Sequence, residues 1–190
     1  ETSPLGKAEW IKFFGVLFSK EKEADSIFKN IETEYLSAKK IASEAKETPT
    51  VISGAMYKDV WYMPQGDSWG AQFINDANGD YLWKNSEGTG SLALNLESVL
   101  EKGHNAEIWI GPGQFTNLDE IASASQAYTQ FTAYKTGNVY SYSMKKGKTG
   151  GVIYFELAPN RPDLVLKDLI KILHPKLFPE HEFYFFDKLN

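Results

Sequence analysis

One stretch of the sequence has the form of a covalent catalyst. Gly66-Asp67-Ser68-Trp69-Gly70 matches G-x-S-x-G, the sharp strand-to-helix turn that exposes a nucleophilic serine in α/β-hydrolases. Asp119 and Asp163, then His174 and His181, follow in the chain order of such enzymes. In that reading Ser68 attacks an ester carbonyl, and His174 or His181 takes its proton. The pattern is short, and no upstream His-Gly-Gly stretch supplies an oxyanion hole. Ser68 as the N-cap of a following helix explains the same residue without a further assumption.

Metal chemistry has little to build on. His104, His174 and His181 are isolated, and no His-Glu-x-x-His pair occurs. Cysteine is absent, which excludes disulfides, thiolate sites and a Cys nucleophile. An intrinsic zinc site or resident cofactor is therefore not expected. His174-Pro175 reads as a helix end and Glu180-His181-Glu182 as a solvated turn. There is no Walker loop, and Gly147, Gly150 and Gly151 do not form G-x-G-x-x-G.

Binding chemistry is better represented. Four segments that follow predicted strands gather aromatics, glycines and lysines: Met56-Tyr57-Lys58-Asp59, Pro64 to Trp69, Gly111 to Gln114, and Met144 to Lys148 running on through Gly150-Gly151 to Tyr154-Phe155. In open α/β sheets ligands sit beyond the carboxyl ends of the strands. Tyr57, Trp61, Ser68, Trp69, Lys145, Lys146, Tyr154 and Phe155 are accordingly the candidate ligand residues. Aromatics with a few lysines suit a bulky, partly apolar ligand carrying anionic groups. Trp109, inside the apolar run Ile108-Trp109-Ile110, is expected in the core instead.

The elements that must carry these residues can be read from periodicity. Ser3-Pro4 marks a helix start, as N-cap and first helical residue, and the helix runs to about Phe18. It is apolar on several sides and so should be buried on several sides. A second helix, about Glu21 to Lys46, has one apolar face built on Ala24, Ile27, Phe28, Ile31, Tyr35 and Ala38. After Pro49 strands alternate with helices. Strands are predicted at 50–53, 60–63, 106–110 and 139–142, helices at 67–77, 94–102, 118–124, 127–134 and 164–173, and an extended aromatic arm at 182–186. That alternation predicts an α/β fold, a three-layer αβα sandwich.

The whole chain fits this picture. It has 190 residues, 42% hydrophobic and 24% charged, with five Trp, ten Tyr and twelve Phe. This composition excludes intrinsic disorder. A net charge of −5 argues against binding bulk nucleic acid, which needs a basic face. The densest apolar run, Trp10 to Phe18, is too short to span a bilayer and is broken by Lys12. Glu1-Thr2-Ser3-Pro4 has neither the basic region nor the apolar core of a secretory signal. The sequence given thus belongs to a cytoplasmic protein or starts downstream of a targeting signal.

Several stretches, taken in order, resemble the helical-backbone class (class III) of periplasmic substrate-binding proteins of ABC importers, which take iron-siderophores, haem and vitamin B12. They are Pro4 to Lys12, Val60 to Ser68, Asp76-Ala77-Asn78-Gly79-Asp80-Tyr81, and Arg161 to Leu169 with Leu173-His174-Pro175. Asn78 stands where the family usually has a small residue. The resemblance implies a lobe preceded by a long connecting, or backbone, helix. Residues 1–47 would hold that helix and the amphipathic one after it, and residues 48–190 the C-terminal ligand-binding lobe. An N-terminal lobe would lie upstream of Glu1. It further implies a protein that is not an enzyme and that captures a ferric chelate, haem or cobalamin between two lobes. Its partners would be that N-terminal lobe and a permease in the inner membrane. Its place would be the periplasm, with a lipid anchor through an upstream Cys as one option.

Carried over residue by residue, the resemblance puts aromatic and basic ligand contacts at Trp61, Trp69, Lys145 and Tyr154, and a permease-docking carboxylate at Glu156. The aromatic before that Glu is often Trp in the family; here the pair is Tyr154-Phe155. Two rivals stand beside this reading. One is a small serine hydrolase using Ser68. The other is a transition-metal-binding relative with a carboxylate or His of this lobe on the metal.

Overall fold

A computed structural model describes all residues, 1–190. The first helix, α1 (Pro4–Leu17), starts where Ser3 accepts a hydrogen bond from the Gly6 N–H, with Pro4 in the first turn. Helix α2 (Glu21–Ser43) buries Ala24, Phe28, Ile31, Tyr35, Ala38 and Ala42 along one stripe. Tyr35, Ala38 and Ala42 belong to the main core of 33 buried residues, whereas Ala8, Phe28 and Ile31 form a small separate cluster.

The central sheet begins with β1 (Thr50–Ser53). The chain then makes an antiparallel hairpin, β2 (Ala55–Tyr57) and β3 (Val60–Pro64). Helix α3 (Trp69–Asp76) leads to β4 (Asp80–Tyr81), which pairs parallel with β1. Strand β5 (Ser91–Leu94) returns to β3, completing a small sheet of order β2-β3-β5. Helix α4 (Leu96–Gly103) is followed by β6 (Ile108–Ile110), parallel to β1 on its other side. Helix α5 (Leu118–Ala124), a 3₁₀ turn over Gln126–Gln130 and α6 (Thr132–Lys135) lead to β7 (Val139–Ser141). Helix α7 (Ile153–Leu157) and the long α8 (Pro162–Leu173) precede an aromatic arm that ends in β8 (Asp187–Lys188), antiparallel to β7.

The large sheet therefore has the order β4-β1-β6-β7-β8. From β1 the chain first moves to β4 on one side, then crosses to β6 and β7 on the other. Right-handed crossovers put α3 on one face and α4, α5 and α6 on the opposite one, which is the three-layer α/β sandwich. Helices α2, α3 and α8 pack on one another on the first face.

The sequence reading located most elements but not their sheet membership. Val60–Pro64 is a strand, yet it lies in the small antiparallel sheet rather than the parallel one. The segment Met56 to Asp59 is thus the tip of a hairpin, with Lys58 at φ 55°, and not a strand-end loop of the ligand side. Ile153–Leu157, expected as part of a loop, is a short helix.

Two devices fix the aromatic arm against α8 and the end of α3. Asp168 on α8 is fully buried, and its carboxylate accepts hydrogen bonds from the backbone N–H groups of Tyr184, Phe185 and Phe186 and faces His181 Nε2 at 2.6 Å. That clamp holds the aromatic arm on the lobe. Asn78 ends α3 in the left-handed conformation, φ 58°, where Asn is tolerated better than a larger residue. Its side chain donates to the carbonyls of Ala45 and Glu47, tying the exit of α2 to this turn.

Candidate functional site

The sheet has a topological switch point between β1 and β6, whose outgoing connections leave in opposite directions. Crevices at such points, outside the carboxyl ends of the strands, are where open α/β sheets bind ligands. A cavity of about 430 Å³ opens there. Ser53-Gly54 at the end of β1 and Ile110-Gly111 at the end of β6 form its base.

Two glycines make this base passable. Gly54 has φ 80°, and a Cβ there would collide with the Tyr62 carbonyl. Gly111 has φ 64°, and a Cβ there would come within 2.7 Å of the Tyr142 ring. The Ser53-Gly54 carbonyls are held from beneath. Trp61 Nε1 donates to Ser53 O at 2.9 Å and Trp109 Nε1 to Gly54 O at 2.8 Å. The two indoles stack on each other, 5.5 Å apart and 27° from parallel.

The walls are aromatic. Trp69, at the first turn of α3, lies 6.2 Å from Tyr154 on α7. Tyr154 stacks on Tyr142 at 4.5 Å and 14°, and Phe155 and Phe186 meet this pair edge-on. Burial holds the phenols of Tyr142 and Tyr154 above the ordinary range, with the neighbouring Tyr142 adding to the effect at Tyr154. Both therefore stay protonated at neutral pH. Lys7 of α1 places its ammonium 4.1 Å over the Trp69 ring.

The candidate residues divide evenly. Ser68, Trp69, Tyr154 and Phe155 line the cavity. Tyr57, Trp61, Lys145 and Lys146 do not. Tyr57 is on the exposed hairpin tip. Trp61 is fully buried because it is an inward position of β3, stacked on Trp109. Lys145 turns toward the aromatic arm, donating to Phe183 O and pairing with Asp187 at 3.5 Å. Lys146 is exposed in the turn bridged by Lys146 and Val152. The sequence reading missed Tyr142, Phe186 and Ser53. Tyr142 and Phe186 had no local signal beyond being aromatic, since the chain brings them together from two distant segments.

Ser68 is a helix cap. Its hydroxyl is buried and accepts from Ala71 N–H at 3.2 Å. Neither histidine serves it: His174 faces Asn78 O at 3.3 Å and His181 is bound to Asp168. The hydrolase geometry is therefore not assembled. No group of three or more metal-ligating side chains converges anywhere in the chain.

Glu156 lies on the exposed side of α7, between exposed Phe155 and Leu157. Its carboxylate rests over the glycine turn, 3.3 Å from where a Gly147 Cβ would be.

A family model described as periplasmic binding protein matches residues 2–145. An uncharacterized lipoprotein of Methanocaldococcus jannaschii is 33% identical over all of this chain, which spans only 44% of that relative's length. Among solved structures, a possible iron-binding (periplasmic solute-binding) protein from Staphylococcus epidermidis superposes with a TM-score of 0.70 at 17% identity, covering 92% of this chain and 64% of that one. The haem complex of IsdE from S. aureus gives a TM-score of 0.67 at 17% identity, covering 91% and 66%.

Proposed function

Because the chain belongs to the periplasmic binding protein family, in its class III, TroA-like branch, we propose that it is the solute-capturing component of an ABC importer for an iron compound (siderophore or haem) or a corrinoid. The observation that carries this reading is the aromatic cavity at the β1/β6 switch point, open to one side and walled by Trp69, Tyr142 and Tyr154. Its mechanism needs no bond making. The solute is held by apolar and stacking contacts, a second lobe closes over it by hinge bending, and the closed form docks on the permease.

The second lobe, in this reading, belongs to the same longer polypeptide. Two observations support it. The matched lipoprotein is more than twice as long as the chain, and α1 with the Phe18 that follows it exposes Trp10, Phe13, Phe14, Leu17 and Phe18 to at least half their surface. An apolar cluster of that size is usually covered. The location on the outer side of the membrane, with a lipid anchor upstream, rests on the family and on the relative's name. Glu156 is the docking carboxylate of the proposal, being exposed and flanked by apolar residues that would seal its contact.

Titration with haemin, a ferric hydroxamate siderophore and cyanocobalamin, followed by intrinsic fluorescence, tests the reading. Saturable binding of one of them, lost in Tyr154→Ala, is the expected result. Failure of all three to bind the longer protein would refute this solute class.

A further inference from the structure

The cavity carries no formal charge. None of its lining residues is Asp, Glu, Lys, Arg or His. The nearby cations are engaged elsewhere: Lys7 sits over the Trp69 ring and is not a lining residue, Lys145 bonds to the aromatic arm, and Lys146 lies in solvent. What the cavity offers is ring surface and neutral hydroxyls. Ser53 lines the cavity, and its hydroxyl, which makes no hydrogen bond within the protein, is accessible there. A hydroxyl open at a cavity wall can donate to and accept from a ligand. The phenols of Tyr142 and Tyr154 are likewise without protein partners, and burial keeps them protonated.

Resting on the solute-binding reading above, we infer that this lobe takes the uncharged, flat organic face of its ligand, with one or two hydrogen-bond acceptors at the Ser53 and tyrosine hydroxyls. It does not take the ligand's carboxylates, a bare metal ion or an inorganic oxyanion. Desolvation sets this preference. An anion brought into a cavity without a cation loses its hydration and gains no partner, a penalty of several kcal/mol. A neutral planar ring loses little and gains the Trp69, Tyr154 and Phe186 surfaces. A bare metal ion would need carboxylate, imidazole or thiolate ligands, and none lines the cavity.

Iron protoporphyrin IX and its dimethyl ester are the same ring with and without two carboxylates, which makes them the probes of choice. Each is titrated against the full chain in neutral detergent at low and high salt, with Trp69 quenching as the readout. The diester should bind about tenfold more tightly, with little dependence on salt. Phe155→Lys, which adds a cation at an exposed position of the rim, should narrow or reverse that preference. Molybdate should not bind.

Tighter binding of the dicarboxylate, weakening steeply with salt, would overturn the inference while leaving the cavity as the solute site. Diester binding that neither Phe155→Lys nor Tyr154→Ala alters would place the probe elsewhere and overturn it too. Failure of both probes to change Trp69 fluorescence would remove the solute site itself, and the inference with it.

Discussion

Trp61 and Trp69 stand eight residues apart and have opposite duties. The sequence placed both beside the ligand because both flank an apparent strand end. In the fold, Trp61 points into the core from β3 and fastens Ser53 O, while Trp69 opens α3 and faces the cavity. Solute binding should therefore quench fluorescence that Trp69→Phe largely removes. Trp61→Phe should keep the quench but melt earlier, since it loses a buried hydrogen bond and indole packing worth about 2 kcal/mol together. The reverse pattern would exchange the two assignments. Glu156 is the second residue whose role can be isolated. As an exposed carboxylate it should tolerate Glu156→Ala within about 0.5 kcal/mol and with solute affinity intact. Transport by the assembled importer should fall, more so at high salt, because exposed charge pairs act chiefly on association. A mutant that melts several degrees lower would mark Glu156 as structural.

At the scale of elements, the helices and buried strands were legible because their periods are strong. Ser3-Pro4 and Ser68 announced two helix starts that the structure keeps. Pairing was not legible. Val60–Pro64 alternates buried and exposed residues in a way that fits either sheet, and only the left-handed Lys58 turn and the partner β5 decide it. The lysines misled for a related reason: composition shows that a loop has cations, but not which way they point. The C-terminal arm was legible as aromatic and extended, whereas the group that holds it, Asp168, looked like one more polar residue of a helix. Asp168→Ala leaves three backbone N–H groups without their acceptor and should cost about 3 kcal/mol. Because Phe186 belongs to both arm and cavity, the same mutant should lose solute affinity. Hydrogen exchange would show faster amides at residues 184–186, and unchanged protection there would refute the clamp. Gly111→Ala is the matching test at the cavity base, where the new methyl must displace Tyr142 and is strained at φ 64°, so it should weaken binding and also cost about 1–2 kcal/mol of stability.

For the whole molecule, the tyrosines set an alkaline limit. Tyr35, Tyr81, Tyr128, Tyr140, Tyr142 and Tyr154 all have phenols raised above the ordinary 10.0, with burial the leading cause in each. At Tyr35 the hydrogen bond to Asp76 adds to it, at 2.6 Å. A neutral acid with a raised folded pKa gives stability that is complete below the unfolded value and is lost as pH climbs past it. Thermal midpoints should therefore be insensitive to these groups up to about pH 10 and fall steeply above it. A spectrophotometric titration should show these six phenols ionising late, together with unfolding. Early, reversible titration of these six would contradict the packing described. The stacked Trp61 and Trp109 add a property of a different kind. Two indoles this close couple their electronic transitions, and being skewed rather than parallel they should give the chain an exciton couplet in circular dichroism. That couplet reports the floor beneath β1 and β6, whereas Trp69 emission reports the wall above it. Filling of the crevice and loss of its foundation are thus spectrally distinct events in a protein carrying no added label.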